Sequence, residues 1–372
     1  MNLSSRSMAP SPAARPILEM RGIEKQFIVQ RSFLGRTLAT VKAVDDVSLS
    51  LMEGETLAIV GESGCGKSTV GRLLMRLLEP SSGQIWIDGE DVTKLGHSAM
   101  RQRRRKVQLI FQDPYASLNP RMTIGQTIGE PLMLHNVVPP AQRRQRIAAL
   151  LEMVGLRPEQ ANRYPHEFSG GQRQRVVIAR ALASEPRAII CDEAVSALDV
   201  SIQAQILNLL KDLQSRLGLA LVFISHDLGV VKHIADRVAV MYLGKLVEIG
   251  TADMIFSAPR HPYTQALLAA IPVAAPALRE RHAATLHGDL PSPLAPPQGC
   301  RLHTRCPHAR PACQGVNMAL DVEPDGHSNA CAFWRELPDP GPIIRTDAAR
   351  NPKLEKLFAA FDVAPPPLVT GN

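Results

Sequence analysis

From Ile17 to about Tyr242, short apolar runs alternate with longer stretches of helical character. The short runs predict strands at Ile17–Met20, Ala43–Leu51, Thr56–Val60, Gln84–Ile87, Val107–Phe111, Ala188–Cys191, Ala220–Ile224 and Val238–Tyr242. Four of them (Thr56–Val60, Ala188–Cys191, Ala220–Ile224, Val238–Tyr242) are short, apolar and bounded by turn or helix signals. Strands of a parallel sheet covered on both faces have that pattern. Helices are predicted at Lys67–Leu78, Pro140–Val154, Gly171–Ser184, Ser201–Leu217 and Leu228–Ala235. Between Asp113 and Arg187 the pattern gives helices and loops but no strand, which predicts a helical insertion into an α/β core.

The two ends of the chain differ from this middle. Residues 1–16 are rich in Ser, Pro and Ala and are expected to be a disordered tail. Eighteen of the 30 prolines and four of the six cysteines follow Gly250. A boundary is therefore expected near Pro272, separating residues 17–271 from a loop-rich appendix at 272–372. At 372 residues and 45 % hydrophobic the chain can bury a sizeable core. No apolar run reaches the roughly 18 residues a spanning helix needs, and no secretory h-region is visible. A cytosolic address follows as an expectation, with cysteines as thiols or metal ligands rather than disulfides. The net charge of +7 is compatible with a phosphorylated ligand, an anionic membrane surface or nucleic acid and selects none of them. The densest basic run, Arg101–Lys106, is expected to be a solvated face. Aromatics at 4 % are too sparse for base stacking, so no nucleic-acid partner is expected.

The chemistry starts at Gly61-Glu62-Ser63-Gly64-Cys65-Gly66-Lys67-Ser68-Thr69, which follows an apolar strand and opens a helix. It fits G-x-x-x-x-G-K-[ST]. Its glycines let backbone N–H groups turn inward around a phosphate, and the helix N-terminus adds its positive dipole end. Lys67 is placed to reach the β- and γ-phosphates, and Ser68 to offer its hydroxyl to Mg²⁺. Cys65 is expected to fill a small-residue slot. Asp192 and Glu193 end a four-residue apolar run, where Asp192 can hold Mg²⁺ and Glu193 can polarise an attacking water. Ser169-Gly170-Gly171-Gln172 sits at a loop-to-helix junction, and its exposed N–H groups make a second anion site. Ser196-Ala197-Leu198-Asp199 follows the acidic pair, His226 follows the next strand, and Gln112 ends the strand Val107–Phe111.

In that order these motifs resemble the ATP-binding cassette family: P-loop at 61–69, Q-loop Gln112, signature Ser169–Gln172, acidic pair Asp192–Glu193, D-loop Ser196–Asp199 and switch His226. The resemblance covers residues 17–250. Phe168 stands where the signature usually has Leu, and Ala194 where Pro is common; neither change removes a charge or a hydrogen-bonding group. The implied fold is α/β, a P-loop NTPase cassette domain with a small antiparallel β subdomain, a helical subdomain at about 113–187 and a Cys/Pro-rich C-terminal appendix. The implied activity is hydrolysis of ATP with Mg²⁺. Glu193 would act as base, His226 as γ-phosphate contact, and Gln112 as sensor of Mg²⁺ or water. Phe27, in Lys25-Gln26-Phe27, would stack on adenine, with a polar insert Gln30–Lys42 before the next strand. Ser169–Gln172 and Asp199 would complete the ATP site of an opposing subunit.

A finer resemblance is to the ATPase subunits of dipeptide and oligopeptide permeases, the F-type of the two. It rests on Gln112–Pro120, on His261-Pro262-Tyr263-Thr264 with Ala266-Leu267-Leu268, and on Leu290–Leu294 with Pro296-Pro297. It implies a second ATPase subunit, two transmembrane permease subunits, an extracytoplasmic solute-binding protein acting indirectly, and a place on the cytoplasmic face of the cell membrane. Nickel, glutathione and microcin importers share these motifs. A soluble cassette ATPase and a metal- or redox-sensing protein are the alternatives of another class. Cys300, Cys306, Cys313 and Cys331 are spaced C-x5-C-x6-C-x17-C. Zinc sites usually show closer pairs, and a [4Fe–4S] cluster tolerates looser spacing. The resemblance implies the cluster, with zinc or free thiols open as alternatives.

Overall fold

The structure is a computed structural model and describes residues 15–31, 37–271 and 286–338. The chain begins with two long strands, β1 (Leu18–Arg31) and β2 (Thr37–Leu51), followed by β3 (Thr56–Val60) and helix α1 (Lys67–Leu74). Next come β4 (Ser82–Ile87), β5 (Glu90–Asp91), α2 (His97–Arg104) and β6 (Val107–Ile110). Helices α3 (Ile124–Leu134), α4 (Arg143–Met153) and α5 (Gly170–Leu182) lead to β7 (Ala188–Asp192). Then follow α6 (Val200–Leu217), β8 (Ala220–Ser225), α7 (Leu228–Ile234), β9 (Arg237–Tyr242) and β10 (Lys245–Thr251). Two short helices, α8 (Ala252–Ser257) and α9 (Pro262–Ala269), precede the strands β11 (Asp321–Val322) and β12 (Ser328–Asn329).

Two sheets result. The smaller is antiparallel, in the order β2-β1-β4-β5, and the larger runs β11-β12-β10-β9-β3-β8-β7-β6. Strands β9, β3, β8, β7 and β6 are parallel, as the apolar runs predict. Alternate side chains of β3 enter opposite cores: Ala58 and Val60 face one, Leu57 and Ile59 the other. Helix α1 lies so close to the sheet that a Cβ on Gly71 would meet Ile224 Cδ1 at 2.8 Å.

Several expectations change. The polar stretch after Phe27 is not a separating insert, since β1 runs to Arg31 and β2 starts at Thr37. Cross-strand pairing carries both strands past the apolar core, with Phe27 opposite Val41. Helix α1 stops at Leu74, and Arg76 follows with φ 49°, outside helical space. Helix α3 lies in the stretch expected to be helical, and β10 extends the sheet beyond Tyr242. The basic run is only in part a solvated face: Arg101 is exposed, whereas the arginines after it are half-buried and tied down. Arg103 grips Glu90 with two bonds of 2.6 and 2.8 Å, Arg105 reaches Ser184 O at 3.1 Å, and Arg104 reaches Met75 O at 3.1 Å.

The C-terminal segment is joined to the cassette rather than hung beside it. Strand β12 pairs with β10, and Leu302, Met318 and Ala330 are buried in the larger core. A carboxylate, Glu248 of β10, is fully buried at the join. It accepts from the N–H groups of Arg260 (2.6 Å) and His261 (3.1 Å) and pairs with His327 Nε2 (2.7 Å). Those partners offset the cost of burying it. The expected tail at 1–16 falls almost wholly outside the described residues, as do 272–285 and 339–372 of the expected appendix.

Candidate functional site

The loop after β3 is bent into a cradle by three glycines at positive φ: Gly61 (151°), Gly64 (78°) and Gly66 (110°). Two of them admit no side chain. A Cβ on Gly61 would come within 2.1 Å of Met241 O, and one on Gly66 within 2.2 Å of Ala43 O. Lys67, the first residue of α1, is 4 % exposed, and its Nζ donates to Gly61 O at 2.8 Å and Glu62 O at 2.9 Å. A buried ammonium whose partners are two neutral carbonyls and the Cys65 thiol, at 3.9 Å, suits a cradle for an anion. Cys65 packs beneath, where burial raises its thiol pKa, as expected of a small-residue filler. Ser63 and Thr69 complete the turn and the first turn of α1.

Parallel pairing of β3, β8 and β7 brings their C-terminal ends together. Ser68 Oγ donates to Asp192 Oδ1 at 2.8 Å, so two of the three expected Mg²⁺ ligands face one point, while the third, Gln112, is bonded to Glu193. Burial raises the Asp192 carboxyl pKa, against the Ser68 hydrogen bond. A divalent cation there would favour the ionised form. Glu193 follows with φ 49°, a strained value for a non-glycine residue, held by its N–H bond to Ile224 O at 3.0 Å. Its Oε2 accepts from Gln112 Nε2 at 2.9 Å, and its Oε1 lies 3.4 Å from His226 Nδ1. Residues from the ends of three strands thus converge: Gln112, Asp192–Glu193 and His226. The donor set fits Mg²⁺ with a polyphosphate. A carboxylate beside that position can orient water.

Two expected groups stand apart from this cluster. Ser169 caps α5 in a reciprocal box with Gln172, and Gly170 and Gly171 are nearest Leu198 and Ile202. Among the described residues no hydrogen bond or ion pair joins 169–172 to 61–69. Asp199 is the N-cap residue of α6, next to the same packing. Phe27 lies on β1, 37 % exposed, with the Lys25 ammonium 5.3 Å from its ring. Its cross-strand partner Val41 is two residues from Ala43, whose carbonyl lies against Gly66.

Sequence reasoning missed what fastens the loop from outside. The Glu62 N–H donates to Tyr263 Oη at 2.8 Å, and Arg305 grips the Glu62 carboxylate. His261-Pro262-Tyr263-Thr264 was a visible motif, but its link to the loop joins residues 201 positions apart. None of the four cysteines is joined in a disulfide. Burial pushes the pKa of Cys300 and of Cys331 up to about 11, with smaller contributions from the neighbouring cysteines. Cys300 N–H bonds to Cys313 O at 2.8 Å. The segment gathers these thiols, yet among the described residues no three His, Cys, Asp or Glu side chains are arranged to hold a metal ion. The expected zinc or iron–sulfur ligation is not met by this arrangement of side chains, and β12 with the buried Leu302 and Met318 ties the segment to the cassette.

Comparison with known proteins decides the family. Residues 44–196 match the family model described as ABC transporter, and residues 247–313 match the oligopeptide/dipeptide transporter C-terminal region. The chain is 53 % identical over 322 residues to the oligopeptide transport ATP-binding protein AppF of Bacillus subtilis, covering 86 % of this chain and 97 % of that one. The chain belongs to the ABC transporter family. It is also 52 % identical over 315 residues to a probable peptide ABC transporter ATP-binding protein of Sinorhizobium fredii, covering 85 % of this chain and 89 % of the relative. Among solved structures, the ADP- and phosphate-bound dimer of the cassette MJ0796 is 30 % identical, with a TM-score of 0.56, over 63 % of this chain and 98 % of that one. As an ABC cassette, the chain binds ATP with Mg²⁺ and hydrolyses it. Among the described residues no helix is long and apolar enough to cross a membrane.

Proposed function

We propose that this ABC ATPase powers the import of dipeptides or oligopeptides. The observation that carries the reading is the joint presence of a complete P-loop-to-switch cluster and a C-terminal region similar to that of peptide transporters. Glu193 orients and deprotonates the attacking water, His226 contacts the γ-phosphate, and Gln112 reports the state of the site to the helices that follow it. Lys67, with the N–H groups of residues 61–69, binds the phosphates, and Ser68 and Asp192 hold Mg²⁺. Phe27 stacks on adenine. Ser169–Gln172 and Asp199 complete the site of a second ATPase subunit, and two permease subunits anchor the pair at the cytoplasmic face of the membrane. An extracytoplasmic binding protein delivers the solute.

The test is uptake into proteoliposomes containing this subunit, its partner ATPase and both permease subunits. Labelled di- or oligopeptide should accumulate only with binding protein and Mg-ATP inside. Uptake of nickel or glutathione with no peptide uptake would replace the peptide reading.

The thiols of residues 300, 306, 313 and 331 are proposed to take a [4Fe–4S] cluster by rearranging, in a structural role. Their closeness and the resemblance support this; the present arrangement of side chains does not. Protein purified without oxygen should be brown and contain iron. Stoichiometric zinc, or no metal, would remove the cluster.

A further inference from the structure

The phosphate-binding loop is held from outside by the C-terminal segment. Arg305 Nη1 donates to Glu62 Oε2 at 2.9 Å and Nη2 to Oε1 at 3.1 Å. This is a two-pronged pair between side chains 11 % and 29 % exposed. Such forks are the stronger class of ionic hydrogen bond. Nη1 also lies 3.5 Å from Tyr242 Oη, and the Tyr242 ring packs on Tyr263 with centroids 4.7 Å apart. Tyr263 Oη in turn accepts the Glu62 N–H at 2.8 Å. One loop residue is thus gripped by its backbone and by its side chain, from two different elements.

Glu62 makes the grip consequential. It places a carboxylate in a loop built to receive several phosphate charges. Unpaired, that carboxylate repels the ligand; paired with a guanidinium, it does not. The hydrogen bond from Glu62 also raises the pKa of Arg305, so its guanidinium stays charged at any physiological pH. The turn that presents Arg305 is tight, with its N–H bonded to Leu302 O at 2.8 Å. Leu302 is buried in the larger core.

We propose that Arg305 and Tyr263 are positioning residues for ATP: Arg305 neutralises Glu62, Tyr263 fixes its backbone, and the C-terminal segment thereby sets nucleotide affinity. The proposal rests on residues 61–69 being the ATP cradle. Neither residue touches the reacting atoms, so the effect belongs in affinity rather than in turnover.

The test is a titration of the full chain with a fluorescent ATP analogue and Mg²⁺, with kcat from the assembled transporter. The wild-type chain must bind; failure there would sink the cradle itself rather than this inference. R305M should raise Kd roughly five- to twentyfold, the scale of a lost part-buried ionic fork, with kcat at saturating ATP within about twofold. In an E62Q background no carboxylate is left to neutralise, so R305M should raise Kd by less than about twofold. Y263F should weaken binding in both backgrounds. Wild-type affinity in R305M, or an equal loss in the E62Q background, overturns the proposal. Should R305M alone not fold, E62Q/R305M against E62Q decides: a Kd raised more than about twofold overturns it.

Discussion

Gln112 Nε2 donates to Glu193 Oε2 at 2.9 Å, so a side chain just past β6 holds the carboxylate just past β7. Helices α3 to α5 begin after Gln112, which makes this bond the point where the helical region meets the chemistry. His226 approaches the other oxygen of the same carboxylate, at 3.4 Å. Glu193 therefore has two neighbours that can register whether a water or a γ-phosphate has taken their place.

Glu193→Gln should keep nucleotide binding and lose hydrolysis by ~100-fold or more, since an amide cannot take the proton of water. Gln112 can still bond to the amide oxygen, so the geometry survives. The closed, ATP-bound state should accumulate. Single-turnover phosphate release measures this directly, and a wild-type rate would remove Glu193 as the base.

Lys67→Ala should act at the earlier step. The ammonium donates to two loop carbonyls, Gly61 O and Glu62 O, and is the buried charge nearest the cradle. Its loss should weaken ATP binding by ~10-fold or more, as expected for a charge-assisted contact. Equilibrium titration separates this from Glu193→Gln: Kd should move in one variant and the hydrolysis rate in the other.

What the sequence revealed follows the range of the interactions. The parallel strands were legible because burial on both faces makes nearly every position apolar, as in Leu57–Val60 of β3. The P-loop was legible because nine consecutive residues carry it. Helix α3 was obscured by Pro131 in its interior, although Thr123 and Gln126 form a capping box that marks its start. Strand β10 was obscured by Glu248, a charge within an otherwise apolar run, made tolerable by partners 12 to 79 positions away. The Glu62–Arg305 pair spans 243 residues. No local pattern announces it, and only the folded chain brings the two together.

Gly170→Asp should act on the opposing subunit. A Cβ on Gly170 would meet only Leu198 Cδ2, at 3.6 Å, an ordinary contact, so the aspartate fits without strain. Its charge, however, would face the phosphate of a partner-bound nucleotide. ATP affinity of the variant's own P-loop should stay within about twofold, while ATP-driven pairing in the Glu193→Gln background should disappear. Light scattering with and without ATP reads the pairing. Loss of nucleotide from the same chain would refute the cross-subunit arrangement.

His261 gives the pH dependence of the fold. Its ring is buried, and that burial lowers its pKa from 6.5 to about 4. Its Nδ1 accepts the Tyr263 N–H at 3.1 Å and caps α9, which requires an unprotonated nitrogen. The unfolded chain takes up a proton near pH 6.5, whereas the folded chain resists until about pH 4. The stabilisation is therefore fully present above pH 6.5 and is lost as pH falls toward 4, by on the order of 3 kcal/mol. His261→Asn keeps an acceptor at the cap and cannot titrate. Its unfolding temperature should be lower than wild type at pH 7.5 and should fall less between pH 7 and 5. Because α9 also carries Tyr263, the bond to Glu62 N–H ties this titration to the phosphate loop. ATP affinity of the folded wild type should therefore hold until pH approaches about 4, where the His261 ring takes up its proton, and parallel unfolding curves for the two proteins would show that His261 is not the titrating group.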